Sequence, residues 1–186
     1  MKRILFLLAI FLALPLLADK PNVIVIMADD MGWECVSAYR DLIAKYNYPK
    51  TEKGEKDHYS TPNIDKLASQ GIRFQWAYTT SPVCSTSRSA MMTGFHQNYI
   101  GAHHHRTSSK KPLPHGIKPI PHLLEEAGYY TATMAGGKTD CNFTTPRKLF
   151  MGKSWKGRKK GQPFYVQATF AGTHRNFMRD KERPID

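Results

Sequence analysis

The stretch "NVIVIMADD", residues 22–30, joins a run of apolar and mostly β-branched residues to a pair of carboxylates. A continuous apolar run of this length is typical of a strand that is buried on both faces of a parallel sheet. In open parallel sheets, ligands bind beyond the carboxyl ends of the strands. The stretch therefore predicts a strand of an α/β domain that carries Asp29 and Asp30 to the ligand-binding edge.

Strand and helix signals alternate along the rest of the chain. The segment "TPNIDKLASQG" predicts a helix, with Thr61 as the N-cap, Pro62 in the first helical position and Gly71 as the stop. The segment "PIPHLLEEAG", residues 119–128, predicts another helix. Further strands are predicted at 72–79, 129–137 and 163–174. Four strands interleaved with helices predict an α/β fold with a largely parallel sheet flanked by helices.

Several polar side chains directly follow the predicted strands. The stretch "SPVCSTSRSAMMTG", residues 81–94, places Cys84 four residues before Arg88 at the start of a helical segment. Lys138 follows the glycines that end the third strand, and His174 lies at the end of the fourth. Because the carboxyl ends of parallel strands share one edge of the sheet, we expect these four side chains to converge with the aspartate pair.

The charge of the chain indicates a polyanionic partner without choosing one. The 186 residues carry a formal net charge of +12, from 27 Lys and Arg against 15 Asp and Glu. Such a balance attracts nucleic acid, anionic lipid or sulfated sugar. No zinc-finger spacing, aromatic RNA-binding signature or continuous basic helix accompanies the charge. We therefore expect no nucleic-acid partner.

The first residues of the chain have the layout of a secretory signal peptide. Two basic residues precede a long apolar run, and Ala18 supplies a small residue at the expected cleavage point. A membrane anchor needs about 20 apolar residues, whereas Pro15 interrupts this run. We expect a signal peptide at 1–18, a catalytic-domain portion at 19–186, export to the periplasm or the extracellular space, and no stable membrane anchor.

The chain has three cysteines, Cys35, Cys84 and Cys141, which are too few for the disulfide framework of a small secreted domain. At least one of them is left unpaired. If Cys84 has a chemical role, Cys35 and Cys141 either pair or remain buried thiols. The sequence leaves both alternatives open.

Four blocks of the chain resemble the ordered N-terminal blocks of type I sulfatases: "NVIVIMADDMGW", "STPNIDKLASQGIRFQWAYTTSPVCSTSRSAMMTG", "LLEEAGYYTATMAGGKTD" and "PFYVQATFAGTH". In that family, a cysteine in a Cys-x-(Pro/Ala/Ser/Thr)-x-Arg motif is oxidised to formylglycine. Cys84, Thr86 and Arg88 occupy the three specified positions. The resemblance implies an alkaline-phosphatase-like fold and hydrolysis of sulfate esters, or sulfamates, of an extracellular glycan.

The resemblance also implies roles for individual residues. The aldehyde at position 84 would hydrate to a geminal diol, of which one hydroxyl attacks sulfur and the other helps to eliminate sulfate. Arg88, Lys138 and His174 are implied as catalytic groups that contact the sulfate. Asp29, Asp30 and residue 84 are implied as ligands of Ca²⁺, with Mg²⁺ as the alternative, because hard cations take oxygen ligands. A formylglycine-generating enzyme is the implied maturation partner.

Two segments near the expected site depart from what the family or simple chemistry suggests. The family commonly has a histidine two residues after the lysine, where this chain has Asp140. A carboxylate cannot donate a hydrogen bond as an imidazolium can, so the role of that histidine is not transferred. The run "GAHHHR" resembles a metal tag, but consecutive side chains do not share one direction. We expect His104, His105 and Arg106 to lie at the rim and to contact an anionic sugar.

The family continues beyond the point where this chain ends, to a later strand with an Asp-Asn pair that completes the metal site. We therefore interpret the chain as an N-terminal portion, incomplete at its C-terminus, with weak or no activity alone. One alternative is a metal-dependent phosphatase or phosphodiesterase of the same superfamily, disfavoured because its nucleophile is normally a hydroxyl residue. Another is a non-catalytic secreted domain that binds sulfated polymers. The identity of the sulfated substrate and the oligomeric state stay open.

Overall fold

A computed structural model of the chain describes residues 20–46 and 60–174. The expected signal peptide and most of the lysine-rich segment after the first helix lie outside these residues. Within them, no helix has both the length and the apolar character that crossing a membrane requires.

The centre of the fold is a three-stranded parallel sheet. Its strands are β1 (Val23–Ala28), β3 (Tyr130–Met134) and β5 (Phe164–Phe170), in the spatial order β1-β5-β3. The last strand in sequence therefore lies in the middle, which is possible because helical crossovers connect parallel strands. Two-residue strands β2 (Lys111–Pro112) and β4 (Phe143–Thr144) form a second small parallel pair. The parallel α/β architecture predicted from the sequence is confirmed.

Within the described residues, four α-helices and three short 3₁₀ turns accompany the sheet. The helices are α1 (Arg40–Lys45), α2 (Pro62–Gln70), α3 (Cys84–Thr93) and α4 (Ile120–Glu126), and the turns are Trp33–Cys35, Ser37–Tyr39 and Trp155–Gly157. Helix α2 begins with proline in its first turn as predicted. The Thr61 side chain, however, does not cap the helix backbone. It bonds to Ser37 and to Asp65, and so ties α2 to the preceding turn.

The hydrophobic core lies on the face of the sheet that α3 and α4 cover. Met92 of α3 and Tyr165 of β5 belong to one buried cluster. The loop after α3 adds Ile100 and Ala102 to it, and the segment around β4 adds Phe143. Burying this face fixes α3 across the sheet, because large apolar side chains stabilise the packed arrangement by about 1.5 to 3 kcal/mol each.

The strand predicted at 72–79 is wrong. The structure shows bends and irregular backbone there, outside either sheet. Ile72, Phe74, Trp76 and Tyr78, whose alternation suggested a strand, are all exposed. An extended segment needs a partner strand to satisfy its backbone, and none of the described strands pairs with this one.

Candidate functional site

Four of the polar residues predicted from the sequence line one cleft beyond the carboxyl ends of the strands. Its volume is about 340 Å³. Asp29 and Asp30 directly follow β1, and α3 supplies Cys84 as its first residue and Arg88 one turn later. Lys138 is linked to the cleft by its ion pair with Asp29. The position agrees with the general rule for ligand sites in parallel α/β sheets.

Helix α3 presents its N-terminus to the cleft. Cys84 is the first helical residue, and Val83 before it has the extended backbone of an N-cap. The Thr86 hydroxyl donates a hydrogen bond to the Val83 carbonyl at 2.9 Å and lies 2.6 Å from the Ser81 hydroxyl. These bonds fix the turn that leads into the helix. The first backbone N–H groups of a helix have no intrahelical partners, so they favour an anion near residue 84.

A buried charge network joins β1, α3 and the loop after β3. The Lys138 ammonium donates to Asp29 Oδ2 at 2.5 Å, and Arg88 Nη2 lies 3.3 Å from Asp29 Oδ1. Burial alone would raise the pKa of Asp29, but the hydrogen bond from Lys138 and the charge of Arg88 together hold that pKa below its usual range. Asp29 therefore stays ionised between two cations.

Arg88 is almost wholly buried but is not fully saturated. Its side chain is 4% exposed, and Nη1 donates to the Lys138 carbonyl at 2.9 Å and to Thr169 Oγ1 at 3.4 Å. Nη2 is close to Asp29 but poorly aligned, and it forms no hydrogen bond with the described residues. An unsatisfied buried donor is costly. Arg88 is one of the residues that line the cleft, so its charge acts on an anion that enters.

Three potential metal ligands converge beside this network. Ligand atoms of Asp30, Cys84 and His174 all lie within 4.8 Å of one another, and His174 Nε2 is 3.4 Å from Asp30 Oδ2. Asp30 has a left-handed backbone with φ of 58°, which aspartate tolerates better than most residues. Among the described residues this is the one such cluster, and His103, His104 and His105 form none.

The donor set fits a hard cation only through its carboxylates, because the Cys84 thiol and the His174 imidazole are softer donors. Asp29 and Asp30 offer carboxylate oxygens, which Ca²⁺ and Mg²⁺ prefer, while a calcium ion takes about six to eight oxygen ligands. Asp29 is also engaged by Lys138 and Arg88. The described residues therefore provide part of a calcium shell.

The segment that carries His104, His105 and Arg106 packs against the first turn of α3, next to the residues that line the cleft, and is called the rim here. His105 Nδ1 lies 3.0 Å from the Ser85 hydroxyl, and the backbone N–H of Arg106 donates to the same hydroxyl at 3.2 Å. The Asn142 side-chain amide donates to the His104 carbonyl. The rim is thus tied to the first turn of α3. The Arg106 guanidinium forms a two-pronged ion pair with Asp140.

Sequence reasoning missed the residues that support the site. Thr169 touches Arg88, the Thr173 hydroxyl donates to the Asp29 carbonyl, and Ser85 holds the rim. Thr169 lies in β5 and Thr173 just after it, and the end of this strand was already expected at the site. Their position in the sequence could therefore have marked both as supporting residues. Nothing local in the sequence marks Ser85 or Asn142.

Cys84 and Cys141 are free thiols in this structure. Cys35 and Cys141 therefore do not pair, which settles the alternative that the sequence left open. Cys141 lies in the core, where burial raises the pKa of its thiol to about 12. Only Cys84 lies in the cleft.

The sheet and the position of its cleft define the fold of the sulfatases, which is alkaline-phosphatase-like. A solved structure titled as a 2-O GAG sulfatase superimposes with a TM-score of 0.62 over 90% of this chain and 40% of that one, at 21% identity. A sulfatase structure from the glycosaminoglycan metabolism of Bacteroides thetaiotaomicron gives a TM-score of 0.62 at 17% identity, over 86% of this chain and 46% of that one. These identities establish the fold alone.

Sequence similarity establishes the family. The family described as Sulfatase matches residues 21–147, which is more than half of the chain. The chain belongs to the sulfatase family. An ulvan-active sulfatase of Formosa agariphila is 29% identical over 172 residues, which cover 85% of this chain and 26% of that protein. Arylsulfatase G of Rattus norvegicus is 34% identical over 116 residues, covering 62% and 19% respectively. The chain thus spans about a quarter of the length of these relatives.

Proposed function

We propose that the protein containing this chain hydrolyses sulfate esters, or sulfamates, of an extracellular glycan. The observation that carries the proposal is the meeting of Cys84, at the N-terminus of α3, with Arg88, Lys138 and His174 around one cleft. A sulfate monoester bears negative charge on its oxygens, so the site must combine cations with a nucleophile. The cleft contains both.

The nucleophile in this proposal is residue 84, after a formylglycine-generating enzyme has oxidised Cys84. Formylglycine would supply the hydrated aldehyde whose oxygen attacks sulfur. The motif Cys84, Thr86, Arg88 supports this modification. Position 84 in the first helical turn suits the role, because the unpaired N–H groups there stabilise negative charge next to the attacking atom.

The surrounding residues bind and orient the sulfate group. Arg88 lines the cleft and places a buried guanidinium there, and Lys138 adds a second cation held by Asp29. His174 Nε2 lies 3.4 Å from Asp30 Oδ2 and within 4.8 Å of the Cys84 thiol, and we assign it to hydrogen bonding with the sulfate or the departing oxygen. Fixed cations of this kind stabilise charge that develops in the transition state.

Asp29, Asp30 and residue 84 would hold Ca²⁺, or Mg²⁺ in its place. The ion would add positive charge against the sulfate oxygens. The described residues provide too few oxygen ligands to hold it firmly. We therefore expect residues 1–186 alone to bind sulfate but to hydrolyse sulfate esters weakly or not at all. Binding needs only the cations, whereas turnover needs the complete metal site as well.

The signal-like first residues support export, and we propose a periplasmic or extracellular location for the mature protein. A sulfated polysaccharide is the substrate class that agrees with that location and with the net charge of +12.

The proposal is tested by hydrolysis of 4-nitrophenyl sulfate by the full-length protein, coexpressed with a formylglycine-generating enzyme. We expect turnover by the wild type and loss of at least about a thousandfold in kcat/KM for Cys84→Ala, because the nucleophile is removed. A Cys35→Ala variant is the matched control, since Cys35 lies outside the cleft, and it should retain activity. Hydrolysis of a phosphate monoester but not of the sulfate would favour the phosphatase alternative. Binding of a sulfated polymer without turnover would favour the non-catalytic one.

A further inference from the structure

Asp140 and Arg106 form an ion pair at the rim whose geometry leaves half of the guanidinium free. Arg106 Nε lies 3.1 Å from Asp140 Oδ1, and Arg106 Nη2 lies 2.8 Å from Asp140 Oδ2. The carboxylate therefore occupies the side edge of the guanidinium, formed by Nε and Nη2. At the end edge, formed by Nη1 and Nη2, the bond of Nη2 to Asp140 is the only hydrogen bond to a residue within 20–46 or 60–174, and Nη1 makes none.

The backbone of the pair is fixed by its surroundings. Arg106 and Asp140 each have φ of 49°, in the left-handed region that is unfavourable for a non-glycine residue. Such conformations persist only where the surroundings fix them. Here the Arg106 backbone is bonded to Ser85, and the neighbouring Thr107 N–H donates to the side chain of Asn142.

The pair also continues the charge network of the cleft. Asp140 Oδ2 lies 3.9 Å from Lys138 Nζ, and Lys138 in turn bonds to Asp29. The guanidinium of Arg106 is close enough to Cys84 and Asp29 for their charges to act on it. Asp140 itself is 14% exposed, whereas the Arg106 side chain is 51% exposed. The carboxylate is thus the inner, fixed member and the guanidinium the outer one.

We infer that Arg106, positioned by Asp140, is a specificity residue that binds a second oxyanion of the substrate glycan. This inference rests on the proposed function. The second oxyanion is a carboxylate or a further sulfate on the sugar chain that bears the scissile sulfate. The free end edge of a guanidinium binds either group with two parallel hydrogen bonds. Asp140 aims that edge and does not touch the substrate.

The position of Asp140 explains the departure from the family pattern. A histidine in its place would not accept two hydrogen bonds from a guanidinium. With Asp140 in place of the histidine, the site lacks that imidazole donor for the sulfate. It gains instead the fixed guanidinium of Arg106. The change therefore acts on the choice of substrate more than on the attack at sulfur.

The test compares four substrates with the matured full-length protein: 4-nitrophenyl sulfate, a monosulfated neutral disaccharide, a monosulfated disaccharide with a uronic acid, and a disulfated neutral disaccharide. The variants are Arg106→Gln, Asp140→Asn and the double variant. Arg147→Gln is the matched control, because Arg147 is also half-exposed and paired with a carboxylate, that of Glu125, but lies away from the cleft.

We expect Arg106→Gln to raise KM by about tenfold to a hundredfold for a substrate with a second oxyanion, with kcat little changed, since one charge-assisted contact is lost. KM for the two singly charged substrates should not move. Asp140→Asn should raise KM for the same substrates by a smaller factor. The double variant should have the same KM as Arg106→Gln alone. A merely structural role would instead affect all four substrates alike.

The individual arms separate the outcomes. A KM effect confined to the uronic acid substrate identifies the second group as a carboxylate, and one confined to the disulfated substrate identifies it as a sulfate. Equal KM values for wild type and Arg106→Gln on both, with 4-nitrophenyl sulfate still hydrolysed, would overturn the inference and leave the proposed function standing. Failure of the wild type on all four substrates would overturn the proposed function, and the inference with it.

Discussion

At the scale of single residues, the site assigns different tasks to groups of the same type. Of two carboxylates after β1, Asp29 is buried between Lys138 and Arg88 while Asp30 is exposed beside His174. Asp29 thus holds the Lys138 and Arg88 side chains in place, whereas the carboxylate of Asp30 is accessible as a metal ligand. The sequence placed both aspartates at the site but could not divide their tasks, because the division depends on contacts from distant segments.

The cysteines differ in the same way, and Cys141 provides a test. Burial raises its pKa to about 12 from the usual 9.0, so the folded state favours the neutral thiol. Its contribution to stability is complete below pH 9.0 and is lost as the pH rises toward 12. At pH 8.5 we expect iodoacetamide to label Cys141 far more slowly in the native 186-residue chain than in guanidinium chloride, as measured by peptide mass spectrometry. Equal rates would contradict the buried position.

At the scale of elements, a helix or strand was predictable when the signals that specify it lie within its own segment of the sequence. It was not predictable when it depends on contacts with distant segments. Helix α2 and strand β1 were predicted, because proline in the first turn and a continuous apolar run are local signals. The strand predicted at 72–79 from its alternating pattern was wrong, because a strand is stable only when it pairs with another strand. The rim segment with Arg106 was expected near the site from the family resemblance, but its contacts had no local signal, since Ser85, Asp140 and Asn142 shape it from elsewhere in the chain.

Substitutions in the buried helix α3 and in the exposed segment 72–79 should affect stability differently. Met92 of α3 is 1% exposed in the core, whereas Ile72 is 81% exposed. We expect Met92→Ala to lower the free energy of unfolding of the 186-residue chain by about 2 to 5 kcal/mol through lost burial and a cavity. Ile72→Ser should change it by less than about 0.5 kcal/mol. Urea denaturation of both variants checks this, and a large effect at Ile72 would mean that the segment packs after all.

At the scale of the whole molecule, the covered and uncovered faces of the sheet differ. Helices α3 and α4 bury one face, while the opposite face leaves Ile24, Ile26 and Phe170 more than half exposed along β1 and β5. Parallel sheets are normally covered on both faces. The chain spans 26% of the length of its ulvan-active relative, and the activity proposed above is accordingly a property of the full-length protein.

The cleft nevertheless has a coherent organisation within this chain. The helix N-terminus, the buried cations and the two aspartates face the same space, and each comes from a segment that follows a strand or begins a helix. Parallel topology brings those segments together, which is why the candidate site was predictable before its supporting contacts were.

The most direct test of the central claim is the mass of the peptide that contains residue 84, from full-length protein coexpressed with a formylglycine-generating enzyme. The account predicts that the Cys84 thiol is replaced by an aldehyde, while Cys35 and Cys141 in the same sample remain thiols. Arg88→Ala should reduce the conversion, because it removes the last specified position of the motif. An unmodified thiol at residue 84, in a sample where a known substrate of the same maturation enzyme is fully converted, would contradict the account.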